Sequence, residues 1–230
     1  HWNKVSSGAV GELSTSGLES VFEFFSKDLG VGKQADFLRD LFVESYLKHD
    51  NLADATRYLT NALFSEYGLV IIDANKKELK QQFAPFIKDE LLNETSFKLV
   101  SKVNEAINAL PGNAKIQVNP REINLFYLNE NLRERIVCEN EIYTVVNTDI
   151  TWTKEALLKE VDDYPERFSP NVIMRPLYQE VILPNLCYIG GGGELAYWFQ
   201  LKALFNEVKV PFPIMLLRNS VLIQSVQQQK

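Results

Sequence analysis

At 230 residues, 46% of them hydrophobic and 23% charged, the chain has the make-up of a globular protein large enough to bury a sizeable core, as one large or two small domains. Its formal net charge of -6, with Lys and Arg scattered among acids and no basic stripe, argues against nucleic acid as a partner. The two cysteines, Cys138 and Cys187, have no C-x-x-C spacing and no nearby histidine, so no metal site is expected and both read as reduced, mostly buried thiols.

The only histidines, His1 and His49, leave little for a Ser-His-Asp or Cys-His engine. Without a signal-like segment or an apolar run of spanning length, the expectation is a cytoplasmic protein with no membrane partner.

In chain order, residues 1–17 are polar and carry no periodic pattern. Ser16 is placed to cap a helix through Leu29, with Val21, Phe22, Phe24 and Phe25 as its apolar face. The spacing predicts a second helix over 34–48 and a third over 52–67, capped by Asn51 and ended by Gly68. Leu69 to Ile72 reads as a buried parallel strand closed by Asp73, a turn or cap residue that would also sit where ligands gather in an open α/β sheet. Helical patterns follow over 77–92 and 96–110, and Pro111-Gly112-Asn113 breaks them.

The texture then changes. Ile116 to Val118, Leu125 to Leu128, Arg133 to Cys138 and Ile142 to Val146 read as short strands of an antiparallel meander. A helix over 152–161, capped by Thr151 or Thr153, precedes the prolines Pro165 and Pro170, and Arg175-Pro176 opens another helix. Leu186 to Ile189 suits a buried strand, Gly190 to Gly193 a tight turn, and from Glu194 the residues Leu195, Trp198, Leu201, Phe205 and Val208 recur at helical spacing. Pro213 to Leu217 is a further strand, and the chain ends in the polar tail 227–230. The fold class expected is α/β, half of a Rossmann-like core with flanking helices, plus a helical insertion (1–67) and a small antiparallel meander (115–147). The core portion would comprise 68–114 and 148–230.

Strand, glycine turn and helix together are the arrangement that can bind an anion. The first N–H groups of a helix have no acceptor inside it, and the macrodipole there is positive. Side-chain-free residues let a ligand approach those donors. The spacing is neither G-x-G-x-x-G nor a P-loop, so the turn by itself equally suits a packing role.

Several consecutive stretches resemble one family. They are Phe168-Ser-Pro-Asn-Val-Ile-Met-Arg-Pro-Leu-Tyr-Gln-Glu180, Leu183-Pro184, Tyr188-Ile-Gly-Gly-Gly-Gly-Glu194 and Ala196-Tyr-Trp-Phe-Gln-Leu-Lys202, with Pro213 and Arg218 beyond. Phe64-Ser-Glu-Tyr-Gly-Leu-Val-Ile-Ile-Asp73 and Phe83-Ala-Pro-Phe86 agree. Together they resemble the bacillithiol biosynthesis cysteine-adding enzymes, the BshC family, over nearly the whole chain. The resemblance departs at Gly192, where the family usually has proline.

It implies a ligase that joins L-cysteine by an amide bond to the amine of glucosaminyl malate. It also implies a Rossmann-like core related to class I aminoacyl-tRNA synthetases, of which this chain would be a middle portion, and a homodimer formed through a C-terminal coiled coil. How the carboxyl is activated stays open, with ATP or another nucleotide as candidate cofactors.

Such chemistry needs fixed donors for developing negative charge and sites for two carboxylates. The glycines Gly190, Gly191, Gly192 and Gly193 supply one anion site, and Arg175 and Arg218 can grip carboxylates as planar forks. Glu194 and Glu180 are the candidates for hydrogen bonding to the amine and for a general base. Asn171 and Gln179 offer amide recognition and Tyr197 a sugar wall, whereas Trp198 lies on the apolar stripe and Gln200 reads as surface. Two other classes fit the same turn: a nucleotide-sugar or phosphosugar transferase, and a non-catalytic interaction module.

Overall fold

The computed structural model describes residues 8, 10–112, 115–225 and 227–228. Much of the polar start, Asn113 of the predicted break and the last two residues of the polar tail lie outside the described residues.

Three helices lead: α1 (Glu19–Leu29), α2 (Ala35–Phe42), which runs on into one π turn (Val43–Leu47), and α3 (Leu52–Phe64). Asn51 caps α3, its Oδ1 accepting the Asp54 N–H at 2.8 Å. Gly68, at φ 77°, closes the short 3-10 turn that follows. Ser16 is not the cap of α1; the helix begins three residues later, with Leu18 in the capping position. These helices bury Leu18, Ala35, Leu41 and Ala55 among themselves, outside the main core.

The long pair α4 (Lys77–Asn93) and α5 (Thr95–Asn108) is joined at Glu94, which adopts a left-handed φ of 49°. Next come β1 (Leu125–Asn129), β2 (Leu132–Glu139), β3 (Ile142–Val145), β4 (Thr151–Trp152) and α6 (Lys154–Asp163), then β5 (Phe168–Pro170) and α7 (Arg175–Ile182). The first five strands form one antiparallel sheet in the order β4-β3-β2-β1-β5. The chain closes with β6 (Cys187–Gly190), α8 (Gly192–Gln200), α9 (Lys202–Glu207) and β7 (Ile214–Leu217), and β6 and β7 pair in parallel.

One core joins these parts. Phe83, Ile87 and Leu91 of α4 and Val100 of α5 meet Leu125, Ile136 and Val145 of the sheet, Leu157 and Val161 of α6, and Trp198 and Phe205 beyond. Each such side chain contributes about 1.5–3 kcal/mol by leaving water.

A polar hub is sealed inside this core. Both oxygens of the buried Glu90 carboxylate are used: Oε1 accepts from Ser96 Oγ (2.7 Å) and from Asn124 N and Nδ2 (3.0 Å each), while Oε2 accepts the Ser96 N–H (3.0 Å). Asn124 in turn accepts from Asn171 Nδ2 at 2.8 Å.

The sheets differ from the expectation in two ways. The larger sheet is wholly antiparallel, and the parallel part is two strands, not a half-core of several. Leu69 to Ile72 forms no strand; Leu69, Val70 and Ile72 are exposed in irregular chain, because no described strand offers them a ladder. Asp73 closes this stretch as a turn residue, its carboxylate accepting the Asn75 N–H at 3.0 Å. Ile116 to Val118 is likewise no strand, since side-chain amides rather than a neighbouring strand bond its backbone.

Parallel strands are normally covered on both faces. Here Ile189, Ile214, Leu216 and Leu217 of the β6–β7 pair are exposed, as are Leu186 and 221–223. The isolated 230-residue chain is therefore expected to self-associate as its concentration rises, visible by size-exclusion chromatography. Ile189→Lys with Ile214→Lys should restore a monomer; a concentration-independent monomer before substitution would contradict this.

Lys80 makes a second prediction. It is buried, its Nζ donates to the Phe168 carbonyl at 2.7 Å and lies 5.3 Å from the Tyr178 ring centre. Burial, reinforced by Arg133, lowers its pKa from 10.5 to about 8, against the raising effect of Asp73. Below pH 8 the folded and unfolded amines are both protonated, and the cost of burying the charge is felt in full. Above it the unfolded chain binds the extra proton, so stability rises with pH until the ordinary lysine range is reached. Tyr127, raised to about 12 chiefly by burial, and Tyr178, also raised, act oppositely once unfolded phenols ionise near pH 10. Denaturant unfolding should show stability rising from pH 8 toward 10 and falling beyond, and Lys80→Met should remove the rise while leaving the fall.

Candidate functional site

The site is built around the turn between β6 and α8. Gly190 ends the strand, Gly191 is the N-cap and the helix begins at Gly192, two residues earlier than the apolar spacing suggests. Glu194 folds back so that its Oε2 accepts the Gly191 N–H at 2.7 Å. This is half of a capping box, because glycine has no side chain to return the bond. The remaining first-turn donors point outward, Gly192 and Gly193 are exposed, and open space stands where a Cβ on Gly192 would be. The turn is not sealed.

Two arginines stand near it, Arg218 against the turn and Arg175 against α8. The Arg218 guanidinium lies over Gly191, with Nη2 3.3 Å from where a Cβ would stand, and the Arg218 N–H donates to the Gly190 carbonyl at 2.9 Å. Exposed Arg175 is held as a fork: Nη1 donates to Gln179 Oε1 (3.1 Å) and Nη2 to Tyr197 Oη (3.2 Å). Arg175, Gln179 and Tyr197 are thus brought together across α7 and α8.

Tyr188 belongs to this group, although the sequence reading passed over it. Its ring stacks on buried Trp198 with centroids 4.2 Å apart, and its edge stands 2.7 Å from where a Cβ on Gly190 would be. Burial raises its phenol pKa, with Tyr197 and Glu194 adding to the effect and Arg175 opposing it. Those three neighbours place the hydroxyl in the field of the site. The signal was present in the sequence, since Tyr188 and Gly190 are two apart on one strand and so share a face.

Two other candidates are engaged inside the fold. Glu180 is buried; its Oε2 accepts the Asn185 N–H (2.8 Å) and its Oε1 accepts from Asn185 Nδ2 (3.0 Å) and Gln179 Nε2 (3.2 Å). It holds the bend that leads into β6. Asn171 Oδ1 accepts the N–H groups of Ile173 and Met174 at the entry to α7, while its Nδ2 donates into the Glu90 hub.

Gln200, read from the sequence as surface, is buried. Its Oε1 accepts from the backbone of Gln117 (2.9 Å) and Val118 (3.3 Å), and its Nε2 donates to Asn104 Oδ1 (2.6 Å) and the Val118 carbonyl (3.1 Å). Its polarity serves the unpaired segment 115–118, which periodicity alone does not reveal. Both thiols are only half-buried. Among the described residues, no group of three or more His, Cys, Asp or Glu side chains is placed to hold a metal ion, and no helix is long and apolar enough to cross a membrane.

An antiparallel sheet, a parallel strand pair, a glycine turn leading into a helix start and the packed helices around them define an α/β protein. The chain belongs to the BshC family: residues 1–219 match the family described as bacillithiol biosynthesis BshC, N-terminal Rossmann-like domain. It is 55% identical over 229 residues to a protein of Flavobacterium johnsoniae, covering 100% of this chain and 42% of that one. A Flavobacterium psychrophilum protein is 57% identical with the same coverage, and one of Christiangramia forsetii is 54% identical over 220 residues, 96% of this chain and 40% of the relative. All three carry the name "Putative cysteine ligase BshC". The chain spans about two fifths of the length of these relatives.

The glycines separate in a simple test. Gly190→Ala drives a methyl into the Tyr188 ring, which Trp198 holds, and against Leu195 Cδ2 at 3.2 Å. The expected cost by denaturant unfolding is about 1–3 kcal/mol. Gly192→Ala meets nothing within 4 Å and should stay within about 0.5 kcal/mol of the parent. Equal effects at the two positions would show the Tyr188 contact to be unimportant.

Proposed function

We propose that the full-length protein is a ligase of bacillithiol biosynthesis, joining the carboxyl of L-cysteine to the amine of glucosaminyl malate as an amide. Family membership and the relatives' cysteine-ligase name support the reaction class. One arrangement supports the site: an open, side-chain-free helix start with the Arg218 guanidinium over Gly191, and Arg175 held against Tyr197 of the same helix. Both substrates carry carboxylates, and this arrangement offers three places to hold them.

Arg175, already forked by Gln179 and Tyr197, meets a carboxylate at little cost in side-chain freedom. The Gly192 and Gly193 N–H groups and Arg218 stabilise negative charge on the carboxyl oxygen as the amine attacks. Glu194 is the candidate base: Oε2 is tied to Gly191, which leaves Oε1 to accept from the amine. Glu180 and Asn171 act as positioning residues, one fixing the approach to β6 and the other the start of α7. A nucleotide such as ATP, where it activates the carboxyl, would meet the same N–H groups and Arg218 through its phosphates. The protein works in the cytoplasm, and in its full length as a homodimer.

Thermal stabilisation by L-cysteine, glucosaminyl malate, ATP and a nucleotide sugar, each added alone to the full-length protein, tests this reading. Stabilisation by cysteine or glucosaminyl malate is expected. Arg175→Gln should weaken binding of the responding substrate about ten- to a hundredfold, the scale of a lost charged hydrogen bond. Tyr188→Phe, which keeps the stack on Trp198, should alter the response while leaving the melting temperature of the free protein unchanged. A response to the nucleotide sugar alone would identify a transferase, and no response to any ligand an interaction module.

A further inference from the structure

A second groove, about 410 Å³ in volume, lies on the antiparallel sheet and shares no residue with the glycine-turn site. Phe97, Ile123 and Val137 give it an apolar lining, and Arg121 and Arg135 give it positive charge. Glu122 is the one acid that lines it. Among the described residues neither arginine makes an ion pair, although the protein as a whole is acidic.

Its walls are set before any ligand arrives. The backbone of Arg121 is clamped by Asn124, whose Oδ1 accepts the Arg121 N–H (3.1 Å) while its Nδ2 donates to the Arg121 carbonyl (2.6 Å). Asn124 is fully buried and anchored on Glu90. Arg135 stands on β2, paired on both sides: opposite Phe126 of β1, and through its carbonyl to the Val146 N–H at 2.9 Å. Ile136 points into the core, so its neighbours Arg135 and Val137 share the outer face with the next residue in that row, Arg133. Two arginines without an ion pair, on hydrogen-bonded backbone and beside apolar lining residues, suit a ligand with an anionic head and an apolar body. The volume suits a small molecule rather than a protein segment.

We infer that this groove is a binding site for a small organic acid, a carboxylate or phosphate monoester on an apolar body, gripped by Arg121 and Arg135. It stands independently of the ligase reading. The test is titration of the full-length protein with phenyl phosphate, benzoate and inorganic phosphate, following the arginine Nε–H resonances by NMR. Saturable shifts at Arg121 and Arg135 with phenyl phosphate or benzoate are expected, with binding at least tenfold weaker in Arg121→Gln and in Arg135→Gln.

Phe97→Ala should weaken the organic ligands while leaving the weak response to inorganic phosphate unchanged. Both arginine positions keep their backbone bonds on substitution, and an unchanged melting temperature confirms the fold. The inference is overturned by shifts that do not saturate, by affinities that neither arginine substitution alters, or by inorganic phosphate binding as tightly as phenyl phosphate.

Discussion

The Glu90 carboxylate is the interaction on which the arrangement depends. A charge taken out of water costs several kcal/mol unless donors surround it, and here four hydrogen bonds reach it from Ser96 and Asn124. Those donors lie on α5 and on the segment entering β1, and Asn124 passes the linkage on to Asn171, before α7. Two helices, the sheet and the entry to the Arg175 helix are thereby pinned to one buried point. Apolar packing around it excludes water but is indifferent to small slips; the hub is not, because any slip strands a buried donor or acceptor.

Position is handed outward from that point in short steps. Asn171 sets the start of α7, and α7 carries Arg175 and Gln179. Glu180, on the same helix, holds Asn185 and so aims β6. β6 delivers Tyr188 beneath the turn, where stacking on Trp198 fixes the ring. The closeness of that ring makes Gly190 necessary, whereas Gly192 faces open space and its lack of a side chain serves access instead. Gly190 and Gly192 thus have different physical reasons for being glycine.

The exposed apolar residues share one cause. Leu69 to Ile72 has strand composition without a ladder, and β6–β7 is a parallel pair with little cover. In both places apolar side chains stand where no described strand or helix covers them. The antiparallel sheet is better covered: hairpins join β1 to β4 in turn, β5 returns to pair with β1, and core side chains of α4 and α6 pack against it.

What could be read from residues alone was whatever depends on neighbours in sequence. Helical spacing and caps such as Asn51, the two hairpins after Asn129 and Glu139, and the strand–glycine–helix order of 186–201 follow from local sterics and periodicity, and long runs such as Phe168 to Lys202 carried the family. Tertiary structure decided the rest, because hydrogen bonds between distant residues leave no periodic trace. Only the folded chain shows that Gln200 is buried to satisfy residues 83 and 82 positions away, or that Lys80 lies beneath the Phe168 carbonyl. Likewise, only the fold commits Glu180 and Asn171 to bracing backbone and brings Tyr188 into the site. Side-chain type states what a residue is able to bond, and the fold alone determines which partner comes within reach.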